Sequence, residues 1–426
     1  MRVLVIGSGG REHALCWALR RSPRLSQLYC APGNGGTAEI AENIMLDPMD
    51  FSACATWAER HAIDLTIVGP DAPLGHGITD VFAARGLLVF GPNRAAAQIE
   101  SSKRWATERM LRAGVPTAPF EHFTEGAAAA AWIAQREKEG SPFPVVVKAD
   151  GLMAGKGVVV AQNADEARQA VATLLAPGVR SSILIEQYLT GLEVSIFALC
   201  DGERVKLLAP ACDYKRAMDG DKGPNTGGMG AYSPPGFVTP EMLSDIEARI
   251  LRPTVRIMAE GGTPFRGLLY AGIMLTDSGP YVLEFNARFG DPETQVILPR
   301  LHGDVLCLCH AVALGNLNNA EGFTWAPEAA CGVVITSAGY PGPYETGKTI
   351  KGLEKLDENI LVFHAGTRRE YDGRLVTSGG RVLSLVALGN TIAEARAQVY
   401  ANIGRVQFEQ CHYRTDIAER ETTMSL

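Results

Sequence analysis

The stretch RVLVIGSGGREHALCWALRRS, residues 2–22, has the pattern of a buried strand, a glycine turn and a helix. Three later segments repeat the strand and end in a glycine or proline turn: QLYCAPGN at 27–34, DLTIVGPD at 64–71 and LLVFGPN at 87–93. Strands that alternate with helices are typical of α/β layers with mostly parallel sheets. Ligands of open sheets bind at the carboxyl ends of the strands, so the four turns are expected to share one crevice.

Small and polar residues of these turns are predicted to line the crevice: Gly9, Gly10, Asn34, Gly35, Pro70 and Asp71. A glycine turn that leads into a helix can present backbone N–H groups to a phosphate. The GxGG pattern at residues 7–10 also occurs in NAD-dependent oxidoreductases. The second strand does not end in an acidic residue that could bind a ribose hydroxyl of NAD. The glycine turn alone is therefore weak support for either phosphate binding or an NAD-dependent oxidoreductase.

The composition indicates a globular chain of two to four domains, with 426 residues of which 46% are hydrophobic and 20% charged. A net charge of −7 argues against nucleic acid as the main partner. No apolar run approaches the roughly 18 residues of a membrane span, so no membrane contact and a cytoplasmic location are expected. The nine cysteines lack CxxC spacing and are expected to be reduced core residues.

Three lysines occur where nucleotide phosphates could bind. Lys103 falls in the first turn of the helix predicted over SSKRWATERMLRAGVP, where the dipole disfavours a cation unless it is solvated or has an anionic ligand. Lys148 ends the apolar run FPVVVK and needs a counter-charge from the protein or from a nucleotide. Lys156 lies in the glycine-rich loop at 151–157, which either closes over phosphates or forms a simple hairpin turn.

Two further strands predict the rest of a nucleotide site. SSILIEQYLTGLEVSIFAL, residues 181–199, places Glu186 after one strand and Glu193 at the start of the next. The backbone of the connector can read an adenine edge, and Glu193 can hold ribose hydroxyls.

Metal and anion ligands cluster in YVLEFNARFGDPETQ, residues 281–295. Successive side chains of a strand face opposite sides, so Glu284, Asn286 and Arg288 are expected on one face. Magnesium favours oxygen ligands, and a guanidinium suits a phosphoryl or carboxylate oxygen. The segment therefore predicts a site of phosphate chemistry; the alternative is an exposed strand edge with alternating charges.

Seven motifs together resemble the ATP-grasp superfamily and, within it, the phosphoribosylamine–glycine ligase family. They are GSGGREHAL at Gly7, APGNGGTA at Ala31, IVGPDAPL at Ile67, KADGLMAGKGV at Lys148, GPNTGGMGAYSP at Gly223, LEFNARFGDPETQ at Leu283 and VTSGGRVL at Val376. The resemblance spans essentially the full length. It implies an α/β protein with an N-terminal open parallel sheet of Rossmann-like type (1–101), an ATP-grasp core (102–122 and 191–326), a mobile lid (123–190) and a small C-terminal α+β domain (327–426).

The resemblance also implies a reaction and a set of site residues. ATP would drive the ligation of glycine to 5-phosphoribosylamine through glycyl phosphate, giving glycinamide ribonucleotide, ADP and phosphate in purine biosynthesis. Catalytic roles fall to Arg288, Asp213 and Lys156. ATP would contact Lys103, Lys148, Lys156, Glu186, Gln187, Leu189 and Glu193. Glu284 and Asn286 would hold Mg²⁺ or Mn²⁺ in a lean shell, since the preceding strand GLLYAGIML supplies no acid. Glycine would contact Asp213, Asn225, Arg288 and Asp291, and the first crevice would hold the phosphoribosyl group.

The chain departs from the family pattern in four places: Asp71 for a usual Glu, Asn93 for Thr or Ser, CDYK at 212–215 for QDHK, and Leu192 for Glu. These changes are expected to tune affinity and not to abolish activity. His13 and His364 are expected to be structural, and Cys212 a neutral filler. The region from about residue 327, with strands in CGVVITSAGYPG, NILVFHAGT and GRVLSLVALGN and a final helix, is expected to wall the site.

Small-molecule substrates are the expected partners of a monomer, with transient contact to the enzyme that makes the labile amine. Three alternatives stay open at this point: another ATP-grasp carboxylate–amine ligase, an NAD-dependent oxidoreductase, and a catalytically silent binding protein.

Overall fold

The computed structural model describes residues 1–151, 157–176, 182–320 and 322–424. The strands are β1 (Arg2–Gly7), β2 (Gln27–Pro32), β3 (Glu42–Asn43), β4 (Leu65–Val68), β5 (Val89–Phe90), β6 (Phe120–Phe123), β7 (Val145–Ala149), β8 (Val158–Ala161), β9 (Ile183–Gln187), β10 (Leu192–Asp201), β11 (Val205–Leu207), β12 (Cys212–Asp213), β13 (Arg216–Met218), β14 (Lys222–Asn225), β15 (Gly230–Ser233), β16 (Arg266–Thr276), β17 (Gly279–Asn286), β18 (Leu301–His302), β19 (Thr324–Trp325), β20 (Ala329–Thr336), β21 (Leu361–His364), β22 (Thr367–Arg369), β23 (Leu375–Thr377) and β24 (Arg381–Gly389).

The helices are α1 (Gly10–Leu19), α2 (Thr37–Ile40), α3 (Phe51–Arg60), α4 (Asp71–His76), α5 (Ile78–Ala83), α6 (Gln98–Ser101), α7 (Lys103–Ala113), α8 (Gly126–Lys138), α9 (Ala164–Leu174), α10 (Pro240–Ile246), α11 (Arg252–Glu260), α12 (Glu293–Ile297), α13 (Val305–Ala313), α14 (Ile392–Ile403) and α15 (Glu419–Met424). A π-helical segment joins α10 to α11, and short 3₁₀ turns occur at Leu298–Arg300, Leu317–Asn319 and Leu353–Lys355. Within the described ranges, no helix combines the length and the apolar character that crossing a bilayer requires.

The first sheet is parallel, in the order β3-β2-β1-β4-β5, which confirms the predicted open parallel sheet. Alternate side chains of β1 enter different cores: Val3 and Val5 pack with α1, whereas Leu4 and Ile6 pack with α3. Helices therefore cover both faces, and the turns after the strands remain at one edge of the sheet.

A second sheet, in the order β6-β9-β7-β8, is antiparallel and has a core of its own with α8 and α9. The helix α7 precedes it. As predicted, a serine caps that helix, since the Ser102 side chain accepts the Trp105 N–H, and Gly114 ends it with φ +66°. The glycine-rich loop connects β7 and β8, and Lys156, predicted to contact ATP, lies outside the described residues.

The central sheet, β11-β10-β16-β17, is also antiparallel. The expectation of mostly parallel sheets is therefore wrong beyond the first sheet. The physical reason is connection length: β16 and β17 are joined through Asp277 and Ser278 alone, whereas parallel neighbours need a crossover of a dozen residues or more.

The last large sheet has the order β12-β15-β20-β24-β21, with α14 packed on β20 and β24. The three predicted C-terminal strands and the helix that follows them, α14, are confirmed. Two of its five strands, β12 and β15, come from the central part of the chain. Eight of the nine cysteines are buried, as expected for core residues.

Candidate active site

A carboxylate surrounded by cations lies at the end of the central sheet. Glu284 is two residues from the end of β17. Burial would raise the pKa of Glu284, yet the charges of Lys215, Lys148, Lys103 and Arg288 lower it overall. The Glu284 carboxylate is therefore ionised at neutral pH, in a setting that favours further anions.

The predicted ATP contacts Lys148 and Glu186 form an ion pair with each other. Their charged atoms are 2.6 Å apart, and both side chains are nearly buried. Lys148 Nζ also donates to the Leu283 carbonyl at 2.9 Å, at the point where the β16–β17 register skips one residue. The counter-charge of Lys148 therefore comes from Glu186 in the neighbouring strand β9.

Lys103 is the first residue of α7, and its Nζ donates to the Gly151 carbonyl at 3.0 Å. Burial, and then the charge of Lys148, lower the pKa of Lys103, although Glu284 acts in the opposite direction. A bound polyanion would stabilise the charged form of a desolvated ammonium that lies beside a second lysine. This agrees with the predicted contact of Lys103 with ATP phosphates.

Lys215, which was not predicted as a site residue from the sequence, pairs with both Glu193, the predicted ribose contact, and Asp213, the predicted glycine contact. Lys215 Nζ forms ion pairs with Glu193 and with Asp213, the latter at 3.5 Å. Asp213 and Lys215 share a face because they are two residues apart. Tyr214 between them points away, and its hydroxyl accepts the Ala418 N–H at 3.0 Å. The side chain that replaces the family histidine is therefore engaged with the C-terminal region. The alternation of Asp213 and Lys215 was the available signal for the role of Lys215.

Burial raises the pKa of Asp213 to about 7, against the opposing charge of Lys215. This folded-state pKa is above the value of 3.8 for an unperturbed aspartate, so the contribution of Asp213 to stability is full below 3.8 and is lost as pH rises through about 7. The unfolding free energy of the wild type minus that of Asp213→Asn should therefore fall across this interval. Urea denaturation at a series of pH values measures this difference, and a constant difference would contradict the assignment.

Arg288 follows β17 and joins the metal-binding candidates to the first sheet. Its Nη2 is 3.0 Å from Oδ1 of Asn286 and 3.0 Å from Oε1 of Glu100. The second carboxylate oxygen of Glu100, in α6, accepts the Ala287 N–H at 2.8 Å. Among the residues that the structure describes, no partner reaches the buried Nε of Arg288. The guanidinium is thus held in place by Asn286 and Glu100.

Glu284 and Asn286 supply an ionised carboxylate and an amide oxygen, which is a donor set that suits a hard divalent cation. The described part of the chain contains no group of three or more His, Cys, Asp or Glu side chains arranged for a metal. A divalent ion bound here would complete its shell with phosphate oxygens and water.

Asp291 lies where the first sheet meets the central sheet. Its Oδ2 is 3.0 Å from Arg381 of β24, and its Oδ1 accepts from Gln295 Nε2 at 2.7 Å. A Cβ atom built on Gly9 would be 3.2 Å from Asp291 Oδ2, so the glycine turn directly faces this carboxylate. The predicted glycine contact and the predicted phosphoribosyl crevice are therefore adjacent.

Most of the polar groups of the first crevice have partners within the protein. The Gly9 N–H donates to Oε2 of the buried Glu12 at 2.6 Å, so this N–H is not free for a phosphate. The Asn34 amide donates to the carbonyls of Ser8 and His364, and the Gly35 N–H donates to the Thr367 carbonyl. Glu12 is three residues after the N-cap Gly9, which is the spacing of a capping box. This spacing in the sequence could have indicated that Glu12 accepts the Gly9 N–H.

The remaining predicted residues lie in or next to α4, β14 and β9. Pro70 precedes α4, which begins at Asp71, and the charge of Asp71 acts on Arg288. Asn225 ends β14 opposite Arg216. The Gln187 N–H donates to the Pro119 carbonyl at 2.9 Å, and Leu189 follows in the connector to β10.

The two histidines and the cysteine that were expected to be structural are buried. Burial lowers the pKa of His13 to about 3 and that of His364 to about 4, and His13 Nδ1 accepts the His364 N–H at 2.8 Å. Burial raises the pKa of Cys212 to about 12, so its thiol stays neutral. All three groups are uncharged at neutral pH.

Sequence models of one family match almost the whole chain. The phosphoribosylglycinamide synthetase N domain matches residues 1–100, the ATP-grasp (A) domain residues 101–294 and the C domain residues 330–420. Phosphoribosylamine–glycine ligase of Rhizobium meliloti is 47% identical over 423 residues, which cover 99% of this chain and 98% of that protein.

Solved structures agree with the fold. The crystal structure of phosphoribosylamine–glycine ligase from Thermotoga maritima has a TM-score of 0.83 and 34% identity, covering 98% of this chain and 100% of that chain. The biotin carboxylase domain of Hydrogenobacter thermophilus 2-oxoglutarate carboxylase, solved with MgADP, has a TM-score of 0.72 and 16% identity over 99% of this chain and 98% of that one. The second likeness concerns the fold alone. The NAD-dependent oxidoreductase alternative is therefore wrong: the chain belongs to the phosphoribosylamine–glycine ligase (phosphoribosylglycinamide synthetase) family of ATP-grasp enzymes.

Proposed function

We propose that the protein joins glycine to 5-phosphoribosylamine at the expense of ATP, through glycyl phosphate, in de novo purine biosynthesis. The observation that carries the proposal is the Glu284 carboxylate among Lys215, Lys148, Lys103 and Arg288, with Arg288 fixed by Glu100 and Asn286. This arrangement stabilises transferring phosphoryl charge, and phosphoryl transfer depends mainly on such positioning and electrostatics. The names of the relatives supply the two substrates.

The reaction has two steps. An oxygen of the glycine carboxylate attacks the γ-phosphorus of ATP, and ADP leaves. The amine of 5-phosphoribosylamine then attacks the acyl carbon, the nitrogen loses a proton, and phosphate leaves. Lys103, Lys148 and Lys156 would neutralise the ATP phosphates, while Arg288 would hold the transferring group and the acyl phosphate.

ATP exchange would require the ion pair of Lys148 with Glu186 and that of Lys215 with Glu193 to rearrange. Glu193 then becomes available for the ribose hydroxyls, and the backbone around Gln187 and Leu189 for adenine. We assign the metal to Mg²⁺, with Mn²⁺ as the alternative; when bound to Glu284 and Asn286 it would neutralise the charge of the ATP phosphates.

Asp213 would bind the ammonium group of glycine, with Asn225, Arg288 and Asp291 closing around the substrate. The crevice formed by Gly9, Gly10, Asn34, Gly35, Pro70 and Asp71 would hold the phosphoribosyl group.

The same proposal includes the domain limits, which are 1–101, 102–122 with 191–326, 123–190 and 327–426. It also includes opening of the 123–190 lid. A monomeric state, a cytoplasmic location and transient contact with the amine-producing enzyme belong to it as well. That contact loses support if amine generated free in solution serves as well as amine from a coupled partner.

The test is phosphate release from Mg-ATP with glycine and freshly generated phosphoribosylamine, each omitted in turn. Release that needs both substrates supports the ligase. Release with a different carboxylate or amine would indicate another ATP-grasp ligase, and no release with any pair would indicate a silent binding protein.

Replacement of Glu284 by glutamine should raise the Mg²⁺ concentration for half-maximal activity by at least about tenfold, because the ionised ligand is lost. The measurement is a Mg²⁺ titration at fixed ATP. Glu108→Gln is the control, since Glu108 forms only an exposed pair with Arg104. An unchanged Mg²⁺ requirement in Glu284→Gln would remove Glu284 from the metal site.

A further inference from the structure

Arg381, the first residue of β24, reaches from the C-terminal part of the chain into the candidate active site. Its Nη1 donates to the carbonyls of Gly227 at 2.6 Å and Asp291 at 2.7 Å, with a longer contact of 3.4 Å to Gly228. Its Nη2 is 3.0 Å from the Asp291 carboxylate. One guanidinium therefore joins three segments that are far apart in sequence.

The turn at residues 226–229 is shaped to accept this guanidinium. A Cβ atom built on Gly227 would lie 3.0 Å from Arg381 Cζ, so a side chain there would push the arginine away. The Gly227 N–H donates to the Tyr340 hydroxyl at 3.0 Å, and the Thr226 N–H donates to the Lys215 carbonyl at 2.7 Å. The turn is thus fixed on one side by the C-terminal region and on the other by Lys215, which lies between β12 and β13.

The charges of this contact are matched and largely removed from water. Asp291 and Arg381 have side chains that are 14% and 20% exposed. Burial would raise the pKa of Asp291, yet Arg381, followed by Arg11, lowers it overall. A planar guanidinium can serve a carboxylate and several carbonyls in fixed directions, which a lysine ammonium on a flexible stem cannot.

We propose that Arg381 is a positioning residue for glycine: it holds the Asp291 carboxylate and the 226–229 turn, which follows Asn225, at a fixed separation around the substrate. The inference rests on the proposed function, in which Asp291 and Asn225 contact glycine. The C-terminal region would then take a direct part in substrate recognition, in addition to forming one side of the site.

The experiment compares steady-state constants of the wild type, Arg381→Met and Arg381→Lys for glycine, ATP and the amine. Both variants should raise the KM for glycine by about tenfold or more, because the pocket loses its geometry, while the KM for ATP stays within about twofold. Arg405→Met is the matched control: Arg405 also pairs with a carboxylate and a carbonyl of the C-terminal region, Asp357 and Lys355, but it is exposed. Thermal unfolding of each variant is recorded in parallel.

Several outcomes would overturn the proposal. They are an unchanged KM for glycine, equal increases for all three substrates, an increase for the amine alone, a full rescue by lysine, or failure of both variants to fold. Failure of the proposed function itself looks different, because the wild type would then show no glycine-dependent release of phosphate.

Discussion

Replacement of Arg288 by alanine is expected to lower kcat by about a hundredfold to a thousandfold, the range found when one preorganised donor to a developing anion is removed. Arg288 is fixed by Glu100 and Asn286 before any ligand binds. Little reorganisation is then needed when charge develops on the transferring phosphoryl group. Phosphate release at saturating glycine, amine and Mg-ATP measures the effect.

The alanine variant also leaves the Glu100 carboxylate without its charged partner, so stability needs its own control. In the double variant Arg288→Ala/Glu100→Gln the unpaired charge is gone; its thermal stability should recover, and its kcat should stay low. Arg104→Ala, which breaks only an exposed pair with Glu108, should leave kcat within about twofold. Recovery of kcat in the double variant would show that Arg288 matters for folding and not for the reaction.

Replacement of Arg414 by methionine should lower the free energy of unfolding by about 3 kcal/mol, as is typical when one partner of a buried pair is removed. The Arg414 side chain is fully buried and bonds to both oxygens of Asp416 at 2.7 Å. It also contacts Asp221 at 2.8 Å and the Arg216 carbonyl at 3.0 Å, and it lies over the Tyr214 ring. The segment between α14 and α15 is thereby fastened to the hairpin β13–β14.

Urea denaturation followed by circular dichroism measures this loss. Arg249→Met is the comparison, because Arg249 pairs with Asp245 on an exposed helix surface, where such pairs contribute at most about 1 kcal/mol. Equal losses of unfolding free energy in the two variants would show that burial does not increase the stabilisation that Arg414 provides.

Secondary-structure elements and some of the candidate site residues were predicted from the sequence. The partners of the charged side chains in ion pairs were not. Local rules were sufficient for the Ser102 cap, the Gly114 stop and the strand that carries Glu284 and Asn286, because these depend on neighbours in the chain. Partners such as Glu100 for Arg288 lie 188 residues away, and only the tertiary fold decides between them.

The same limit explains the wrong expectation of mostly parallel sheets. Apolar runs are alike in parallel and antiparallel strands, and short connections such as the one between β16 and β17 were the local sign of a hairpin. The sequence left open whether the protein or a nucleotide supplies the counter-charge of Lys148; the structure supplies it from Glu186 and also pairs Lys215 with Glu193. Such pairs arise because desolvated charges need partners even before a substrate arrives.

The sheet that takes β12 and β15 from the middle of the chain has a consequence during synthesis on the ribosome. The fully buried strand β15 pairs with β20, which is made about a hundred residues later. At roughly 5–20 residues per second, the nascent chain waits on the order of ten seconds with that strand edge unpaired. We expect truncated translation products that end before β20 to aggregate or to be captured by chaperones, even though every residue assigned to the metal and to ATP has already been made.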